Sequence, residues 1–343
     1  MTLTQLPLAL EPEVASPLAG LLPKSLPTVT SARAKSARKT GQALDVAAMA
    51  GLVAQHPDYR VLRRLAVHTH FAGNGPGPRA TVLVLDTETT GLSHSQEQII
   101  ELALLRVDVD TVTGSPVGEV KVYDALEDPG KPIPPEVQLI TGISDEMVRG
   151  HRLDDERIAA MLRGVDLVIA HNAAFDRPFC EARYPGFADL PWACSLADID
   201  WKKEGRNSAK LEHLALHQGW FYDAHRAEMD CHALLAVLTP TLPTDGKTGL
   251  ARLLGAGTAP SYRLQATQAP FDAKNALKAR GYRWDAEQRV WHTRLTDETA
   301  LAAECAWLKS AVYGGRPARV QVETLAPTTK YSARPGAFAE CQL

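Results

Sequence analysis

Cysteine is scarce. The five present, Cys180, Cys194, Cys231, Cys305 and Cys341, form no C-x-x-C pair and no zinc-ligand spacing. This excludes a disulfide framework and a structural zinc of that kind, and reads as reduced thiols, several of them in the core. No apolar run approaches the roughly 18 residues that a membrane span requires. Glu11 and Glu13 interrupt the first thirty residues, where an export signal wants a basic flank and then an unbroken apolar block. The expectation is a cytoplasmic protein with no membrane partner. Two nucleotide-binding signatures also fail. GKT at 246–248 has Thr241 where a phosphate-binding loop needs its upstream glycine, and the G-x-G within 73–78 precedes a strand instead of following one. No internal repeat is visible.

What is present is length and an uneven charge. A chain of 343 residues has room for about two domains. Residues 1–80 carry nine Lys/Arg against four Asp/Glu, residues 81–261 sixteen against twenty-eight, and residues 262–331 eleven against seven. An acidic middle therefore lies between two basic ends. Acidic surfaces repel polyanions, so a middle acting on nucleic acid calls for metal ions or basic neighbours to hold its substrate.

Composition divides the chain further. Residues 1–40 read as a disordered, partly basic tail, and 41–72 as a short helical segment interrupted near His56-Pro57-Asp58. The Gly/Pro stretch 73–78 marks a boundary. From 81 to 238 the signals become strong. TVLVLD (81–86), QIIELALLRVD (98–108) and VKVYDALE (120–127) predict a three-strand meander. Helices are expected at about 145–162 and 173–183 with a buried strand, 166–170, between them, followed by helices at 208–218 and 226–238. Strands first, then helices alternating with strands, predict an α/β layer fold with a mixed central sheet flanked by helices. Residues 239–261 read as a Pro/Gly-rich linker, and 262–331 as a small α+β module.

The chemistry concentrates at the end of the first strand. Asp86 and Glu88 stand two apart, and side chains alternate along a strand, so both carboxylates point to one side. Like charges that close oppose each other's ionisation unless a cation lies between them, and hard cations such as Mg²⁺ and Mn²⁺ prefer oxygen ligands. The pair reads as a metal site. Its segment is DTETTG (86–91), and downstream stand HNAAFD (171–176) and HRAEMD (225–230). His225 lies five residues before Asp230. Five helical steps would turn it about 140° from the face that carries Asp230, so it is expected in the loop entering that helix. An imidazole with an ordinary pKa near 6.5 can there accept a proton from an attacking water.

In order and approximate separation, these three motifs resemble those of the DEDD superfamily of 3′→5′ exonucleases, His variant, and most of all the proofreading epsilon subunit of bacterial DNA polymerase III and its stand-alone relatives. ITGISDEMV (140–148) and SAKLEHLA (208–215) resemble segments that these proteins carry between the motifs. The resemblance implies a ribonuclease H-like exonuclease fold over 81–238 and a phosphodiester hydrolase. It implies that Asp86, Glu88 and Asp230 bind one divalent cation, that Asp86 also touches a second, and that Asp176 completes the second site. Two cations about 4 Å apart stabilise both the attacking and the leaving oxygen of a phosphoryl displacement. His225 takes the part of general base. Thr89, Thr90 and Gly91 are implied to shape the pocket for the terminal nucleotide, with Asn172 and Phe175 at the 3′ end. The expected substrate is a single-stranded or frayed DNA 3′ end, in proofreading or repair. RNA trimming shares the same motifs, and a non-catalytic nucleic-acid scaffold is the third reading, opposed by the intact acids and His225.

The flanks add two further candidates. Residues 277–294 interleave five Lys/Arg with Tyr282, Trp284 and Trp291. Either Arg283, Trp284 and Trp291 form a single-strand platform, or the tryptophans fill the core of the small module. Gln5, Leu6, Leu8 and Leu10 resemble the short Gln/Leu peptides by which bacterial replication proteins dock on a sliding clamp, so a clamp or a replicative polymerase is a candidate partner.

Overall fold

The computed structural model describes residues 45–73 and 77–343. Gln5, Leu6, Leu8 and Leu10, like the basic cluster of the tail, lie outside them. Helix α1 (Val46–Val53) opens on Asp45, whose carboxylate accepts from the amides of Ala47 and Ala48, each at 3.1 Å. The helical reading of 41–72 holds no further than this. Beyond it the chain forms β1 (Arg63–Arg64) and β2 (His70–Phe71), with Leu65 buried in the core between them.

The central sheet is built from β2, β3 (Arg79–Thr89), β4 (Ile99–Asp110), β5 (Pro116–Leu126), β6 (Leu167–Ala170) and β7 (Trp192–Cys194), in the order β2-β5-β4-β3-β6-β7. β3, β4 and β5 form an antiparallel meander, and β6 and β7 run parallel to β3. This mixed sheet with a three-strand meander followed by parallel strands is the ribonuclease H-like arrangement. Val82, Leu83, Val84 and Leu85 are all fully buried because both faces of the sheet are covered. Val82 and Val84 join one core layer, Leu83 and Leu85 the other, as strand alternation requires.

Helices α2 (Pro135–Thr141), α3 (Asp145–Val148) and α4 (Asp155–Leu162) follow the meander. The single helix expected over 145–162 is thus two: Gly150 at φ +73° turns the chain, and Asp154 caps α4 by accepting from the Arg157 amide at 3.0 Å. Next come α5 (Ala173–Arg183), α6 (Leu211–His217), β8 (Trp220–Phe221), which pairs with β1, and α7 (Ala227–Leu238). The stretch 239–261 is no plain linker. It holds α8 (Gly249–Thr258), whose Leu250 and Leu253 are fully buried in the core. Two of its glycines serve close approach: a Cβ on Gly257 would lie 2.3 Å from Leu167 of β6, and one on Gly249 2.6 Å from Leu238 of α7.

The C-terminal sheet contains β9 (Ser261–Ala266), β10 (Arg283–Asp285), β11 (Val290–Leu295), β12 (Arg319–Leu325) and β13 (Ala337–Gln342), ordered β10-β11-β9-β12-β13 and antiparallel throughout. Helices α9 (Lys274–Ala279) and α10 (Glu298–Trp307) complete it. β13 carries this module beyond residue 331, the end expected from the sequence.

Between β12 and β13 the chain returns to the layers around the central sheet. The guanidinium of Arg177, fully buried on α5, donates to the carbonyls of Lys330 at 2.7 Å and Thr328 at 2.5 Å, pairs with Glu181 at 2.6 Å and lies over Trp192. The Trp192 amide donates to Pro327, and the Tyr331 hydroxyl to Asp198 at 2.6 Å. An Arg177→Leu variant strands the Lys330 carbonyl and leaves the Thr328 carbonyl and Glu181 with Arg334 as their one guanidinium partner, at a cost of about 2–4 kcal/mol. The expected result is a fall in the thermal midpoint of about 10 °C, since each kcal/mol is worth about 2–4 °C in a unit of this size. A midpoint within about 2 °C of the parent would contradict that role.

Candidate active site

The extended run of β3 brings Asp86 and Glu88 to the same side of the sheet, and the pairing with β4 shifts register just after Glu88. Asp176 arrives on the first turn of α5, directly after Asn172, whose φ of +74° makes the turn out of β6. Asp230 stands in the first turn of α7. His225, at φ +63°, precedes that helix in a loop, as the spacing predicted.

These elements converge. One oxygen from each of Asp86, Glu88 and Asp230 lies within 4.8 Å of the others. The three carboxylates line a cavity of about 550 Å³ together with Asp176, His225, Asn172, Phe175 and Leu92. Asp176 is held from the side: its Oδ1 accepts from the Thr87 amide at 3.1 Å and the Thr87 hydroxyl at 2.8 Å. Asp230 accepts from the Tyr222 hydroxyl at 2.9 Å and from the His225 amide at 2.8 Å.

The electrostatics of the cluster follow from crowding under cover. Burial, then the charges of Asp176, Asp230 and Glu88, holds the Asp86 carboxyl well above the ordinary carboxylate range. Burial and Asp230 push Glu88 up to about 8. Asp176 rises to about 7 because its burial outweighs the Thr87 hydrogen bonds. Burial raises Asp230 too, opposed by its bonds from Tyr222 and His225. Desolvated carboxylates facing one another are unfavourable alone and become favourable around a hard cation, so this donor set fits divalent metal ions. For an acid whose folded pKa is raised, the folded state binds more protons than the unfolded one. The resulting stability is complete below about pH 4 and is lost as pH rises through about 7 to 8. In EDTA the thermal midpoint is therefore expected to fall between pH 6 and pH 9, with saturating Mn²⁺ reversing the fall. An apo midpoint that stays level over that range would contradict the assignment.

The remaining candidates divide. Asn172 and Phe175 line the cavity. Thr89 and Thr90 are buried and turn inward: the Thr89 hydroxyl donates to the Gly91 carbonyl at 2.6 Å, and the Thr90 hydroxyl to Glu97 at 2.5 Å. A Cβ on Gly91 would meet Glu97 at 3.0 Å, so the close approach at this glycine is to Glu97. These three residues shape the turn beside the cavity without lining it. His171 bonds Ser195 at 2.7 Å, and burial drops its pKa to about 4, which keeps it a neutral structural imidazole. In the C-terminal module Trp284 and Trp291 sit opposite each other with ring centroids 5.4 Å apart. Trp291 packs on the module core and Trp284 is half exposed. Strand alternation sends Arg283 to the other face.

Several residues of the site were not read from the sequence. Glu101 on β4, directly across from Glu88, is fully buried. It accepts from the Arg226 guanidinium at 2.7 Å and from the Ala227 amide at 2.9 Å, which fixes the start of α7 and hence Asp230. The available signal was a lone acid inside an otherwise apolar strand, IIELALL. Thr87 and Tyr222, which orient Asp176 and Asp230, carried no such signal.

A mixed-sheet domain with acids gathered at the end of β3 fits a nuclease of the hydrolytic class. Residues 83–238 match the RNase T family, described as Exonuclease. The chain is 29% identical over 191 residues to the DNA polymerase III subunit epsilon of Treponema pallidum (strain Nichols), which covers 53% of this chain and 81% of that protein. It is 36% identical over 107 residues to the PolC-type DNA polymerase III of Listeria welshimeri, covering 31% of this chain and only 7% of that much longer protein. Among solved structures, Exonuclease X in complex with 5′ overhanging duplex DNA matches 50% of this chain and 97% of its own, with a TM-score of 0.38 at 25% identity.

Proposed function

We propose that this protein is a 3′→5′ exonuclease that releases nucleoside 5′-monophosphates from single-stranded or frayed DNA 3′ ends, in proofreading or repair. The observation that carries this reading is the convergence of Asp86, Glu88 and Asp230, with Asp176 and His225, on one cavity. Asp86, Glu88 and Asp230 would hold one cation, and Asp86 with Asp176 a second, as Mg²⁺ or Mn²⁺. When bound, such ions supply the positive charge that stabilises the oxygens entering and leaving phosphorus. His225, at the cavity wall, accepts the proton of the attacking water. The water oxygen bonds to phosphorus as the bond to the 3′ oxygen breaks, and that oxygen takes up a proton from solvent water. Asn172 and Phe175 hold the terminal nucleotide by hydrogen bonding and stacking, and Trp284 offers a stacking plane farther along the strand.

DNA is favoured over RNA by the relatives' own names, DNA polymerase III subunit epsilon and PolC-type DNA polymerase III. The same relatives make a replicative polymerase a candidate partner. Clamp docking through Gln5 and Leu6 is tested by pull-down with purified clamp, and capture that survives Gln5→Ala with Leu6→Ala overturns it. The activity is tested with 5′-labelled, 3′-extended DNA and RNA oligonucleotides in Mg²⁺, Mn²⁺ or EDTA. A descending ladder on DNA with metal is expected. A ladder on RNA alone, or no cleavage of either, would overturn the proposal.

A further inference from the structure

A second cavity, of about 1160 Å³, adjoins the carboxylate cavity, with Leu196 forming a wall of both. The loop from Leu196 to Ala209 lines most of it, and Thr296 of the C-terminal module contributes to its wall. A recess of about 200 Å³ shares Arg206, Asn207 and Ser208 with it and reaches Arg60. Residues 81–261 carry twenty-eight acids against sixteen Lys/Arg, so an anionic strand needs a local exception to reach the site.

The loop supplies one. Its acids are already matched: Asp198 by the Tyr331 hydroxyl and Lys330, Asp200 by Lys203 at 3.1 Å, and Glu204 by Arg252 at 2.7 Å. Among the described residues no carboxylate lies within 4.0 Å of Lys202 or Arg206. Lys210 stands at the rim of the carboxylate cavity itself. Lys210, Lys202, Arg206 and Arg60 thus line three adjoining recesses with charge that the protein leaves unneutralised.

We infer that this groove carries the single strand on the 5′ side of the scissile bond, with its phosphates on Lys202, Arg206 and Lys210 and the C-terminal module contributing to its wall through Thr296. The inference rests on the exonuclease reading above. Groove contacts are made only by a strand long enough to leave the active site, so their loss must grow with oligonucleotide length.

The test uses the full chain with oligothymidylates of three and ten nucleotides. For Lys202→Ala with Arg206→Ala, the decamer KM is expected to rise about tenfold and the trimer KM less than about threefold. The slope of log KM against log salt should shrink by about 1.4 with the decamer, at about 0.7 per lost phosphate contact on a single strand. Lys309→Ala, exposed on the π-helical segment that continues α10 and outside these recesses, should change neither. A decamer KM within about twofold of the parent, or an equal rise at both lengths, would overturn the groove. Fluorescence anisotropy of labelled decamer on the Asp86→Asn chain, with and without the two groove substitutions, decides the same point without hydrolysis. An active site that cuts neither oligonucleotide therefore defeats the exonuclease reading, and an unchanged decamer affinity defeats the groove.

Discussion

Asp86→Asn is expected to lower exonuclease activity by at least about 10³-fold, equivalent to about 4 kcal/mol of barrier, while raising the melting temperature of the metal-free protein. Burial and the charges of Asp176, Asp230 and Glu88 all oppose the ionisation of Asp86. The amide has nearly the same shape but carries no charge. It withdraws a ligand that both cations would share and also removes the carboxylate most opposed by its neighbours. Each kcal/mol of repulsion relieved should add about 2–4 °C to the melting temperature. Activity and stability are thus predicted to move in opposite directions, a pattern that simple damage to the fold would not produce. Ladder assays with scanning fluorimetry in EDTA read both quantities. Activity within about tenfold of the parent, or a lower melting temperature, would count against the role of Asp86.

The second large effect is at His225. Losing a general base is expected to reduce kcat by about 10²–10⁴-fold, with metal uptake preserved, because only the backbone amide of His225 bonds to Asp230. The choice of substitution matters. At φ +63° an alanine adds roughly 1–2 kcal/mol of backbone strain, whereas asparagine adopts this conformation readily. His225→Asn therefore separates the proton-transfer role from the loop geometry. Unchanged kcat in His225→Asn would remove the residue from the chemistry, and lost Mn²⁺ uptake would show that it acts through Asp230.

The parts of this fold that were readable from sequence are those in which local pattern and function coincide. β3 is an apolar run ending in two acids, and the D-x-E spacing alone puts those acids on one side. His225 was placed in a loop by counting helical turns. Long-range partners could not be read in this way. Nothing near Arg177 indicates that its hydrogen-bond acceptors lie some 150 residues later, at Thr328 and Lys330. The glycines of α8 suggested flexibility, but Gly257 lies where the helix presses against β6 and Gly249 where it meets Leu238 of α7. Thr89 and Thr90 stand next to Asp86 and Glu88 in sequence, yet the strand ends there and their side chains serve the turn.

Side-chain oxygens from β3, α5 and α7 would together form one cage for divalent cations. Calorimetric titration of Mn²⁺ into the EDTA-stripped protein, with a nucleoside 5′-monophosphate present, tests it most directly. About two ions per chain are expected, with proton release as the raised carboxyls ionise and with uptake abolished in Asp86→Asn. Absence of Mn²⁺ binding by the parent, or equal binding by Asp86→Asn, would contradict the account.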